Sequence, residues 1–119
     1  MVIGIESVPA LENLEAILAV EGIDALFVGP NDLSVSLGIP DQFDNPRYVQ
    51  AVEGVIAAAQ RPGVPAGLHC FTEEQLSQWH GKGARFMMFS SDWRALSEVY
   101  RTALNNVRGQ VIGPVRRPA

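Results

Sequence analysis

Two acidic side chains, Glu6 and Asp32, stand at equivalent places in successive repeats of this sequence. Glu6 closes the apolar run Val2-Ile3-Gly4-Ile5, and Asp32 follows the run Ala25-Leu26-Phe27-Val28 after Gly29-Pro30-Asn31. A short apolar run stopped by Gly-Pro reads as a buried strand ending in a turn, which delivers Asp32 just past the strand's C-terminal end. In parallel α/β folds chemistry collects at that end. Were the two strands neighbours, about 5 Å apart, the carboxylates would converge on one cation. Oxygen donors suit a hard divalent ion, Mg²⁺ or Mn²⁺ first and Co²⁺ as a further option. Taken singly, Glu6 reads as a capping or ion-paired residue and Asp32 as a cap of the segment after Pro30. Their pairing is what points to a metal.

The elements that must position them alternate along the chain. The first strand is Val2 to Ile5. Ser7 as N-cap, Pro9 in the first turn and the stripe Leu11, Leu14, Ile17 and Leu18 predict a helix that Gly22 ends. The second strand is Ala25 to Val28, followed by a turn over Gly29 to Ser34 and a polar connection over Gly38 to Asn45. Asn45-Pro46 then starts a helix carrying Val49, Val52, Ile56 and Ala59. A third strand, Ala66 to His69, precedes a helix opened by Thr72 and Gln75 as a capping box. The fourth strand is Phe86 to Phe89. A last helix carries Leu96, Val99, Tyr100, Ala103, Leu104 and Val107 down one side.

Four βα units in a row, residues 1–108, predict a parallel sheet with right-handed crossovers; residues 109–119 read as a loosely held tail. Such units build either a small doubly wound sheet or half of an eight-stranded barrel. A whole barrel needs about 250 residues, and this chain of 119 is near half that. Half a barrel leaves two sheet edges and an apolar face that something else must cover.

Composition narrows the partners. With 47% apolar and 18% charged residues and a net charge of −4, the chain reads as one globular unit. Its basic residues are scattered apart from Arg116-Arg117, which argues against nucleic acid. No apolar run approaches the roughly 20 residues of a membrane span, and Met1 to Ile5 is too short for a signal peptide. One cysteine, Cys70, excludes an internal disulfide and a cysteine-based metal site, so a cytoplasmic location is expected.

His69 ends the third strand at the site end and is a candidate catalytic group; a half-buried structural histidine is the simpler reading. Because His69 and Cys70 are adjacent in a strand they face opposite ways, so they form no nucleophile and base dyad.

Three stretches, Ile5-Glu6-Ser7, Asn13 to Leu18 and Val20 to Ser34, resemble the second half of the HpcH/HpaI aldolase family, with weaker similarity over Phe86 to Asp92. That family comprises metal-dependent class II aldolases of the 4-hydroxy-2-oxoheptanedioate and 2-dehydro-3-deoxyglucarate type. The resemblance implies α/β architecture: parallel βα repeats forming half of a TIM (β/α)8 barrel of the phosphoenolpyruvate/pyruvate type, strands five to eight. It implies that Glu6 and Asp32 are the metal ligands and that Asn31 and Asp32 lie against the substrate, with the backbone of Asn31 helping to hold its carboxylate. Gly4 stands where related aldolases often carry a glutamine that touches substrate. The family's histidine base and transition-state arginine belong to the first half of the barrel and have no counterpart here.

By the same resemblance the reaction is reversible aldol cleavage of a 4-hydroxy-2-oxo acid to pyruvate, or a related 2-oxo acid, and an aldehyde. Such chemistry passes through an enolate, stabilised by a Schiff base or by a Lewis acid. The sole lysine, Lys82, lies between two glycines at the opposite end of the sheet, so the metal route fits better. Two other readings stand beside this one: a catalytically incomplete fragment or half-barrel subunit that binds metal and oxo acid, and a citrate lyase β-like lyase of coenzyme A esters. A homo-oligomer is expected, in which the last helix is an element that neighbouring subunits of the family can exchange.

Overall fold

The computed structural model describes residues 1–111. They fall into two units, Met1–Phe89 and the segment from Ser90 onward. The first unit holds four parallel strands in sequential order, β1 (Val2–Ile5), β2 (Ala25–Val28), β3 (Ala66–Cys70) and β4 (Met88–Phe89). Registers pair Ile5 with Val28 and Val28 with Leu68, so β1 and β2 end level, while β3 runs two residues further to meet β4.

Alternation along the strands divides the sheet into two faces. Ile3, Leu26 and Ala66 align across it, as do Ile5, Val28 and Leu68, and this face supplies the core. Helix α4 (Pro46–Gln60) packs on β2 and β3 and contributes Tyr48, Val52, Val55, Ile56 and Ala59. The opposite face carries Gly4, Phe27 and Gly67, which is a sparse lining of small residues and one ring. Phe86 crosses this face and meets Phe27 edge-on, with ring centroids 5.8 Å apart.

Local chemistry starts and stops the helices. The hydroxyl of Ser7 caps α1 (Val8–Glu12) by accepting from Ala10 N–H at 3.3 Å. The helix expected to run on to Gly22 breaks at Asn13 and resumes as α2 (Leu14–Leu18). The backbone of Asn13 leaves helical angles at φ −104 and ψ 17, and its side-chain amide joins its own backbone N–H on Pro9 C=O, at 2.8 and 3.1 Å. Asn45 caps α4 through Arg47 N–H at 3.0 Å. Thr72 caps α5 (Glu73–Gly81), while Gln75 reaches back to accept from Phe71 N–H at 2.8 Å.

Two further departures from the sequence reading concern the turn after β2 and the start of β4. Residues Pro30–Ser36 form a helix, α3, rather than an open turn, because Pro30 sits at its first position and Asp32 in its first turn. Strand β4 comprises only Met88 and Phe89, since the N–H groups of Arg85 and Phe86 both turn to Ala66 C=O, at 2.9 and 3.4 Å.

In the second unit a single helix, α6, spans Asp92–Val111. It continues through Gly109, so residues 109–111 of the expected tail are helical, and residues 112–119 lie outside the described ones. Its stripe Leu96, Val99, Tyr100, Leu104 and Val107 is more than half exposed throughout. No helix among the described residues is long and apolar enough to cross a membrane.

Candidate metal and oxo-acid site

Glu6 follows β1 directly, and Asp32 is the third residue of α3, the helix that β2 feeds through Gly29. Both side chains therefore leave the C-terminal ends of adjacent strands in register, and both residues are exposed. The Glu6 side chain lies over the second strand's exit: a Cβ built on Gly29 would stand 2.6 Å from its Oε1. One built on Gly4 would stand 3.3 Å from the same oxygen.

The two connections are tied together. Val8 N–H donates to Ser36 Oγ at 3.0 Å, joining the first turn of α1 to the last of α3. Asp32 precedes Ser36 by one helical turn and so shares its face, the face turned toward the segment that follows Glu6.

Asn31 is braced on both sides. Its side-chain amide donates to Asp41 Oδ1 at 2.9 Å, and its carbonyl accepts from the buried Ser34 hydroxyl at 2.8 Å. Ser34 Oγ in turn accepts from Asp41 N–H at 3.0 Å, holding Asp41 in the left-handed region at φ +58. With its side chain engaged, what Asn31 offers a ligand is the backbone N–H of a helix's first turn, a group with no carbonyl partner inside the helix.

His69 occupies the same sheet face as Gly4 and Phe27, by alternation from Gly67. Its ring lies against Phe71 with centroids 4.5 Å apart, and Phe71 meets Phe43, which meets Tyr48. The void among Pro30, His69, Phe71 and Trp79 amounts to about 10 Å³, room for no more than one water. Cys70 is fully buried on the opposite face, and burial pushes its thiol up from the ordinary value. Lys82 ion-pairs with Glu53 and stands 5.5 Å above the Trp79 ring, at the far end of the unit's strands.

A groove of about 490 Å³ runs between α2 and α4, on the helical side of the sheet. Its charged groups are spoken for in part by the Arg61 to Glu15 ion pair, and it lies away from the strand ends. Among the described residues no three His, Cys, Asp or Glu side chains cluster as a metal cage. What the two strand exits offer instead is a pair of carboxylates, a kind of donor set that would fit a hard cation keeping several positions for water and ligand.

Sequence reading did not find the part played by Gly29 and Gly4, which it took as punctuation and as a missing glutamine. Nor did it find Ser36 or the Ser34 to Asp41 brace. A glycine before proline carries a turn signal that hides any second reason for its smallness.

A parallel sheet whose strands follow one another in chain order, with a carboxylate at two successive exits, is part of a βα-barrel of the TIM type. The family profile described as HpcH/HpaI aldolase/citrate lyase matches residues 1–98, and the chain belongs to that family. A 2-keto-3-deoxy-L-rhamnonate aldolase of Salmonella paratyphi A is 38% identical over 106 residues, which are 89% of this chain and 38% of that protein. An HpcH/HpaI aldolase from Desulfitobacterium hafniense superposes with a TM-score of 0.85 at 33% identity, covering 90% of this chain and 42% of its own. An HpcH/HpaI aldolase/citrate lyase family protein from Burkholderia cenocepacia gives 0.85 at 34% identity, with the same coverage. The chain thus spans less than half the length of each of these relatives.

Proposed function

We propose that this chain carries the metal-binding and oxo-acid-binding half of a class II aldolase active site. The reaction is the reversible cleavage of a 4-hydroxy-2-oxo acid to pyruvate, or a close relative, and an aldehyde. The observation that carries the reading is the pair Glu6 and Asp32 at adjacent strand exits, with the Glu6 side chain laid toward the second exit.

In this reading Glu6 and Asp32 supply the negative charge that holds Mg²⁺, Mn²⁺ or Co²⁺. The bound cation would supply positive charge beside the developing enolate oxygen. The first-turn N–H groups at Asn31 and Asp32 orient the substrate carboxylate, and the braces through Ser34 and Asp41 keep that turn from rotating. His69, packed into an aromatic row, walls the site rather than moving a proton. The proton transfer and the charge of the second carbonyl fall to a base and an arginine outside this chain, as the resemblance implies. The substrate class agrees with the name of the Salmonella relative, since a 2-keto-3-deoxy sugar acid is a 4-hydroxy-2-oxo acid. The working form is a cytoplasmic homo-oligomer, a reading that the family membership supports.

Mn²⁺ titration followed by electron paramagnetic resonance, on the parent and on Glu6→Ala and Asp32→Ala, tests the site. Each variant is expected to lose at least about tenfold in affinity; two variants that bind as the parent does would refute it. Incubation with 2-keto-3-deoxy-L-rhamnonate then separates the two functional outcomes. Cleavage that needs added Mg²⁺ or Mn²⁺ identifies a competent enzyme, and binding without turnover identifies a half-site.

A further inference from the structure

We infer that Gly29 is a positioning residue for the Glu6 carboxylate, required for space rather than for backbone conformation. The inference rests on the metal-site reading above and deepens it. Gly29 is buried and has φ −80 and ψ 103, an extended conformation open to any residue and the one favoured before proline. Glycine's access to the left-handed region is therefore not in use. What glycine provides is an empty place above its Cα, and the Glu6 side chain fills it.

The three atoms nearest to a Cβ on Gly29 all belong to Glu6: Oε1 at 2.6 Å, Cγ at 2.8 Å and Cδ at 2.9 Å. No backbone atom and no core side chain comes closer. An added methyl group therefore meets the acidic side chain first. Glu6 is exposed, so it has solvent to swing into, and the displacement moves the ligand oxygens off the second strand's exit. Gly4 contributes the other wall of the same slot more loosely, with its Cβ position 3.3 Å from Oε1. An alanine there calls for a shift of a few tenths of an ångström, and the carboxylate keeps its place.

The test is a double-mutant cycle on the full chain, read by Mn²⁺ affinity and by urea denaturation. Gly29→Ala is expected to weaken Mn²⁺ binding by at least about tenfold, and Gly4→Ala by clearly less. In a Glu6→Ala background Gly29→Ala has nothing to displace, so the double variant binds as weakly as Glu6→Ala alone. A Gly29→Ala protein that unfolds, and is restored by Glu6→Ala, supports the inference equally. Parental affinity in Gly29→Ala, losses that add to those of Glu6→Ala, or unfolding in both backgrounds would overturn it. Failure of the metal reading looks different, since Glu6→Ala itself would then keep the parental affinity.

Discussion

The backbone N–H of Val8 donates to the hydroxyl of Ser36 at 3.0 Å, across two βα connections that the sequence separates by a whole strand and helix. Val8 lies two residues beyond Glu6, and Ser36 lies one helical turn beyond Asp32 on the same face. The bond therefore ties together the two connections that carry the acidic residues.

Ser36→Ala is expected to cost about 0.5–1 kcal/mol, the net value of one exposed hydrogen bond. It should also weaken Mn²⁺ binding severalfold, because the two connections are then free to slide, while Ser36→Thr retains both properties. Isothermal titration beside urea melts would show this. An alanine variant with unchanged affinity would mean that the strands alone hold the carboxylates.

Gly67→Ala should be far more damaging than Gly29→Ala. A Cβ on Gly67 would overlap the backbone carbonyl of Phe86, and no side-chain rotation relieves backbone against backbone. The crossing segment must lift, with loss of the Phe27 to Phe86 edge contact. A destabilisation of about 2–3 kcal/mol follows from overpacking of this kind. An unaltered urea midpoint would show that residues 85–87 move aside freely.

Alkali should unfold the protein through Tyr48 and Cys70. Burial, and then the neighbouring Cys70, push the Tyr48 hydroxyl above its ordinary 10.0, and burial pushes the Cys70 thiol above its ordinary 9.0. The unfolded chain releases these protons at the ordinary values and the folded chain keeps them. Their contribution to stability is thus complete below about pH 8 and falls as the pH climbs through 9 and 10. Urea midpoints across that range should decline, and Cys70→Ala should remove the earlier part of the decline. A flat profile would contradict the buried positions of both groups.

Arg61→Ala should change little. Arg61 and Glu15 form an ion pair in which both side chains are largely exposed, a type worth less than about 1 kcal/mol. A shift no larger than that in a thermal melt is expected, and it should shrink further in salt.

Much of this molecule was legible before folding. Apolar runs closed by Glu6 and by Gly29-Pro30 mark two strand exits, since a buried strand must end where polar or turn residues begin. Ser7, Asn45 and Thr72 announce helix starts, because each side chain can satisfy a first-turn N–H without help from distant parts of the chain. Where the reading failed, a second signal competed locally. Asn13 carries ordinary helical neighbours, yet its side-chain amide shares Pro9 C=O with its own N–H and its backbone leaves helical angles, and Gly-Pro before Asp32 hides a helix behind turn punctuation.

What the sequence by itself determined was the alternation of strand and helix, the position of each carboxylate in its repeat, and the family to which these motifs point. Those features are local, set by periodicity and by side chains that cap their own backbone. Only the tertiary structure decided that the first two strands are neighbours in level register, that Glu6 rests in the space above Gly29, and that Ser36 bonds Val8. Such relations depend on which segments the core brings together, and burial of one sheet face against α4 selects that pairing through contacts distant in the chain.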